Sequence, residues 1–248
     1  MEKGVITFDK EKAFPIAKER FITTCGFDLG KAKHQKMMGM GQKVLDDGID
    51  GINMQGKVTF ISGEAFRDHK IIIDGEEIFC NFFEQIPDDA VEGLYFYVVT
   101  AGECYFSSEE NIMDFLYADI WGTSYVDAAT ELLKEKIREE IKERLKENGE
   151  SGSQSQGKGQ SQGQGKTLNL SVEFGPGYFG MPVIETKKFV KLVGGEDIGV
   201  WTKDSGLMIP QKSCSGVFLL LNREIEFEPD CMKCNGNSKG CQFCRVRQ

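Results

Sequence analysis

Apolar and polar positions along this chain alternate in two distinct rhythms. Residues 57–62 (KVTFIS) switch between apolar and polar with the period of a half-buried strand. The stretch 70–79 (KIIIDGEEIF) places β-branched residues before Asp74-Gly75 and a second short apolar run after it, which predicts a hairpin. Residues 93–102 (GLYFYVVTAG) form an unbroken apolar run of strand length ending at Gly102, and predict a strand buried on both faces. The other rhythm is helical. Stretches 11–24 and 31–46 read as helices, and Ala129, Leu133, Ile137, Ile141 and Leu145 recur every four residues along one stripe of a long helix over about 110–146. Ser107 and Ser108 before Glu109 and Glu110 supply its start signal, and Gly122 inside it predicts a break or a close approach. A short helix is expected at 185–193, with strands at 168–174, near 198–202 and at 214–221.

Between the long helix and residue 168 the pattern stops. Residues 148–167 (NGESGSQSQGKGQSQGQGKT) hold no apolar side chain and predict a disordered loop or linker. The fold class this implies is α+β, a mostly antiparallel sheet with one long helix, followed by a small four-cysteine metal-binding tail. The expected organisation is an N-terminal α+β segment at 1–90, a core at 91–225 interrupted by the loop at 148–167, and the tail at 226–248.

Composition narrows the function. Hydrophobic residues make up 40% and charged residues 28% of the 248, as in an ordinary globular protein. The net charge of −9 argues against a nucleic-acid binder. Neither a run of membrane-spanning length nor a signal-peptide core is evident, so the expectation is a cytoplasmic protein with no membrane partner. His34 and His69 are the only two histidines and read as ordinary residues rather than ligands. Met37, Met38 and Met40 read as packing, and no Walker loop, HExxH or Ser-His-Asp set is present.

Eight cysteines are present, four of them scattered (Cys25, Cys80, Cys104 and Cys214). The other four form Cys231-x2-Cys234-x6-Cys241-x2-Cys244. Two CxxC pairs joined by a flexible NGNSKG spacer can present four thiolates to one metal centre, in a reducing compartment. Zinc and an iron–sulfur cluster both suit such a set.

Two further stretches carry candidate chemistry. In GPGYFGMP (175–182), glycines and prolines shape a turn around Gly177 and Tyr178, whose ring could stack on a planar ligand. In GLMIPQKSCSGVF (206–218), Pro210, Lys212, Ser213, Ser215 and Gly216 read as a polar turn feeding an apolar strand. The Pro176-Gly177-Tyr178 turn, followed about thirty residues later by the Leu207–Gly216 stretch, resembles the activation domain of vitamin B12-dependent methionine synthase. It is similar also to the short stand-alone activation proteins found beside corrinoid methyltransferases. A third match lies in DIWGTSYVDAATELL (119–133), and the resemblance covers roughly residues 92–222.

The resemblance implies an activation-domain fold, a corrinoid carried by a partner protein or methyltransferase, and support for reduction of inactive Co(II). It implies that Gly177, Tyr178, Pro210, Lys212, Ser213, Ser215 and Gly216 face the cofactor or its protein. In the family an arginine precedes the Pro-Gly-Tyr turn and serves S-adenosylmethionine; here that position is Glu173, so weak binding of that ligand or none is expected. Because reducing Co(II) takes a low-potential electron, from an electron-donor protein or a centre in the chain, a [4Fe-4S] cluster is favoured over zinc on Cys231, Cys234, Cys241 and Cys244. The alternatives are a non-redox accessory binding module with a structural zinc tail, and an S-adenosylmethionine-dependent enzyme of reductive methylation.

Overall fold

The computed structural model describes residues 4–104, 111–150 and 168–226. Its centre is a five-stranded antiparallel sheet built from β1 (Ile6–Thr7), β2 (Gln55–Ser62), β6 (Val91–Thr100), β7 (Asn169–Phe174) and β10 (Ser213–Leu221), in the order β1-β2-β6-β10-β7. The full length of β2 pairs with β6, from Gln55↔Thr100 to Ser62↔Gly93, so the sheet takes strands from the first 90 residues as well as from the remainder. Two small pairings lie outside it: the meander β3 (Phe66–Arg67), β4 (Lys70–Ile73), β5 (Glu76–Ile78), and the hairpin β8 (Trp201–Thr202), β9 (Met208–Ile209).

Both faces of the sheet are covered, which explains the unbroken apolar runs in β6 and β10. Tyr95, Tyr97, Val99, Phe218 and Leu220 point to one core. Leu94, Phe96, Val98, Val217 and Leu219, the alternate positions, point to the other. The first core is roofed by α1 (Lys10–Thr24), α2 (Ala32–Gly48) and α3 (Ile112–Glu150). The second is closed by α4 (Thr186–Val193), the β3–β5 meander and the aromatic segment around Phe82 and Phe83.

Local chemistry sets the ends of these helices. Asp9 caps α1, accepting from the Glu11 amide at 2.8 Å, and Asn111 accepts from the Met113 amide at 3.0 Å as α3 begins. The serines at 107 and 108, expected to start that helix, lie outside the described residues. Gly194 ends α4 with φ 72°. Just beyond it, the buried ammonium of Lys57 on β2 is ion-paired with Asp197. Gly199 follows in the left-handed region, so Ile198 closes a helical turn and only Trp201–Thr202 is strand, shorter than the 198–202 expected.

Trp121 marks the meeting point of α1, α2 and α3. It is fully buried, stacked on Phe21 with ring centroids 4.1 Å apart, and its Nε1 donates to the Gly41 carbonyl at 2.8 Å. Gly41 has no room for a side chain, because a Cβ there would lie 2.6 Å from the Phe21 ring. Tyr117, Trp121, Tyr125, Leu133, Ile137 and Ile141 extend the same buried stripe along α3. Among the described residues, no helix is long and apolar enough to cross a membrane.

Candidate functional site

The turn after β7 is held by its own backbone. The Gly177 amide donates to Met181 O at 2.9 Å, Met181 N to Tyr178 O at 2.9 Å, and Tyr178 N to Gly175 O at 3.1 Å. Gly177 and Gly180 have φ of 90° and 76°, the left-handed conformation in which glycine costs least. Phe179 adopts φ 53° as well, and its ring is the reason such a conformation persists. It packs into the second core, 4.7 Å from Phe82 and 5.7 Å from Phe174 between centroids. The Asn81 amide donates to Phe179 O at 2.9 Å. With Phe179 anchored inward, its neighbour Tyr178 is pushed out and is 69% exposed.

The second motif lies beside the first. Val217 pairs with Phe174, and a Cβ on Gly175 would meet the Ser215 carbonyl at 2.8 Å, so the strands cross here at glycine distance. Gly216 is equally tight, its Cβ position being 2.7 Å from the Tyr97 hydroxyl and 2.8 Å from Phe174 O. β10 begins at Ser213, one residue before the strand expected at 214–221, so the polar turn expected to feed it ends at Lys212. Ser213 Oγ donates to Thr100 Oγ1 at 2.9 Å. Ser215 and Gly216 are buried, and Ser215 Oγ has no hydrogen-bond partner among the described residues. These residues shape the site from beneath rather than lining its surface. Pro210 is also buried, after a cis Ile209–Pro210 bond.

Lys212 has a role that its sequence position does not reveal. Its Nζ reaches Asp119 Oδ1 at 2.6 Å and donates to Thr123 Oγ1 at 3.0 Å, both on α3. The aliphatic stem crosses the helix over Gly122, where an added Cβ would sit 3.0–3.2 Å from its carbons. Close approach, not a break, therefore accounts for this glycine, and the 119–133 match joins the Leu207–Gly216 match through one ion pair. Lys212 is 16% exposed and Asp119 50%. We expect Lys212→Ala to cost about 1–2 kcal/mol, the value of a charged hydrogen bond discounted for solvent screening. Asp119→Ala should cost the same, and the double variant no more than either single, by denaturant titration. Additive losses would show that the two side chains do not act as a pair.

Around Tyr178 the surface is apolar in a way the sequence motifs do not reveal. Val183 and Ile184 are each 45% exposed, Trp201 50% and Leu207 57%. The turn and the hairpin that carry them touch. Gly177 lies against Val183 Cγ2, and Gly206 lies against the backbone of Val183 and Ile184, its Cβ position 2.5 Å from Val183 O. In the β8–β9 hairpin, Met208 packs toward the second core, so the alternate positions Trp201 and Leu207 face outward. The hint available in sequence was this alternation across the KDSG turn. A ridge of exposed aromatic and aliphatic side chains on a rigid turn and hairpin is what a protein-docking surface requires.

A small cleft of about 40 Å3 lies on the face of the sheet that carries the helices, lined by Arg20, Asp127, Thr130, Glu131, Glu173 and Cys214. Three carboxylates against one guanidinium make it electronegative. Burial pushes the Cys214 thiol up to about 12, with the Glu173 and Asp127 carboxylates adding to the shift. Burial likewise raises Tyr97 well above the usual phenol range. A thiol so raised stays protonated at neutral pH. Among the described residues no group of three or more His, Cys, Asp or Glu side chains could hold a metal ion. Cys231, Cys234, Cys241 and Cys244 lie outside them.

No family model matches the sequence, and no curated protein matches it. The fold is similar to a solved structure, the crystal structure of the MetH reactivation domain bound to AdoHcy. The TM-score is 0.63 at 14% sequence identity, over 96% of this chain and 85% of that one. At that identity the likeness is one of fold: a mixed α+β chain with antiparallel sheets and a long helix.

Proposed function

We propose that this chain is an activation protein for a corrinoid-dependent methyltransferase. It docks on the corrinoid-binding protein, covers the exposed face of the planar cofactor, and supports one-electron reduction of inactive Co(II) to Co(I). The electron comes from a low-potential donor protein or from a centre on the four-cysteine tail. The observation that carries this reading is the exposed ridge of Tyr178, Val183, Ile184, Trp201 and Leu207, which lies where the two sequence motifs meet. The likeness in fold to the MetH reactivation domain supports it. Tyr178 offers a flat ring with a polar tip for a corrin edge, and the aliphatic neighbours exclude water around it. Lys212, spent on Asp119, holds α3 against the strand beneath rather than meeting the partner.

Docking is tested by titrating an inactive Co(II) corrinoid protein with the chain. Tyr178→Ala and Leu207→Ser should each weaken binding about tenfold or more, as truncated anchor residues do. Both side chains are exposed, so folding is not at issue. Unchanged affinity in both variants would remove the ridge from the interface.

The solved neighbour holds AdoHcy. In this chain the Glu173 carboxylate, in a cleft with Asp127 and Glu131, repels the carboxylate of such a ligand. S-adenosylmethionine and AdoHcy should therefore bind weakly or not at all by calorimetry, and Glu173→Arg should improve binding. Tight binding by the unaltered chain would instead favour S-adenosylmethionine-dependent reductive methylation.

A further inference from the structure

The end of the sheet opposite Tyr178 carries a groove of about 410 Å3 between the second half of α3 and β7, the last strand of the sheet. Ile141, Leu145, Leu170 and Val172 give it an apolar lining, with Arg138 and Lys142 exposed along α3. Glu224 and Ile225 also line it, so the described chain ends at its mouth. Four segments lie outside the described residues, and three of them do not suit this groove. Residues 1–3 precede β1, at the opposite edge of the sheet. Residues 105–110 precede the start of α3, roughly 43 Å along the helix from Ile141. Residues 151–167 carry no apolar side chain. The fourth begins at the groove itself, with Phe227-Glu228-Pro229-Asp230: one large apolar ring, then two carboxylates.

We propose that residues 227–230 dock in this groove, Phe227 against Ile141 and Leu145, with the carboxylates of Glu228 and Asp230 on Arg138 and Lys142. The proposal is independent of the corrinoid reading. Its consequence concerns the four-cysteine tail. Cys231 follows at once, so docking roots the first CxxC pair beside the groove. β10 spans about 26 Å from Ser213 to Leu221, so that root stands about one sheet length from the Tyr178 turn.

The test uses the full chain. Amide exchange across residues 168–172 is compared for the unaltered protein, Phe227→Ala, Arg138→Glu, Glu228→Arg and the Arg138→Glu/Glu228→Arg double variant. Phe227→Ala should speed exchange there about tenfold, and each single charge reversal about threefold. The double reversal should restore the original rate. Unchanged exchange in Phe227→Ala, or charge effects that add instead of cancelling, would overturn the proposal. Protection that grows with protein concentration would assign the groove to a second copy and overturn it equally.

Discussion

Replacing Trp121 by alanine is expected to cost about 4 kcal/mol of folding stability, and so to lower Tm by about 8–16 °C in a chain of this size. The reason lies in what one ring joins. Trp121 is completely buried on α3, stacks on Phe21 of α1, and donates to the Gly41 carbonyl of α2. Its removal opens a cavity that the three helices cannot close, because Gly41 already touches Phe21 at the limit of approach. Trp121→Phe keeps a ring against Phe21 but loses the donor, and should cost about 1–2 kcal/mol. Denaturant unfolding decides the matter. A loss below about 1 kcal/mol for the alanine variant would show that the helical layer is not organised around this side chain.

The second large effect is on metal content. Cys231→Ala or Cys244→Ala should abolish metal retention in anaerobically purified protein, because a four-thiolate centre does not survive the loss of one ligand from either pair. The unaltered chain should be brown, with broad absorption that bleaches on reduction, and should contain iron and acid-labile sulfide. Tm should stay within about 1 °C of the parent, since the described residues already assemble two cores. Stoichiometric zinc without iron, in protein made under iron-replete anaerobic conditions, would contradict the redox version and favour a non-redox accessory module. Retention of full metal in both variants would contradict the four-cysteine centre itself.

Much of this fold was legible because its elements are long and strongly patterned. The four-residue recurrence from Ala129 to Leu145 gave the long helix, and the apolar runs in β6 and β10 gave strands buried on both faces. What was not legible depends on contacts between distant residues, which leave no period in the sequence. Lys212 meets Asp119 across 93 positions, so it looked like a free cation on a turn. Gly122 could be flagged as a break or a close approach, but its neighbour could not be named. The strand over Ser215 and Gly216 was legible from the apolar run that follows, but their burial against Tyr97 and Phe174 was not, because Ser and Gly carry no apolar signal of their own. The exposed side of the β8–β9 hairpin leaves only a faint trace in sequence because its strands are two residues each, enough for a single alternation.

The most direct test of activation follows cobalt itself. An inactive Co(II) corrinoid protein, a low-potential reductant and this chain are combined anaerobically, and the absorbance of Co(II) and Co(I) is recorded over time. Co(I) should accumulate only when all three are present, and more slowly with Tyr178→Ala. An unchanged Co(II) spectrum across a panel of corrinoid proteins, any encoded alongside this chain included, would contradict its role as a corrinoid activator.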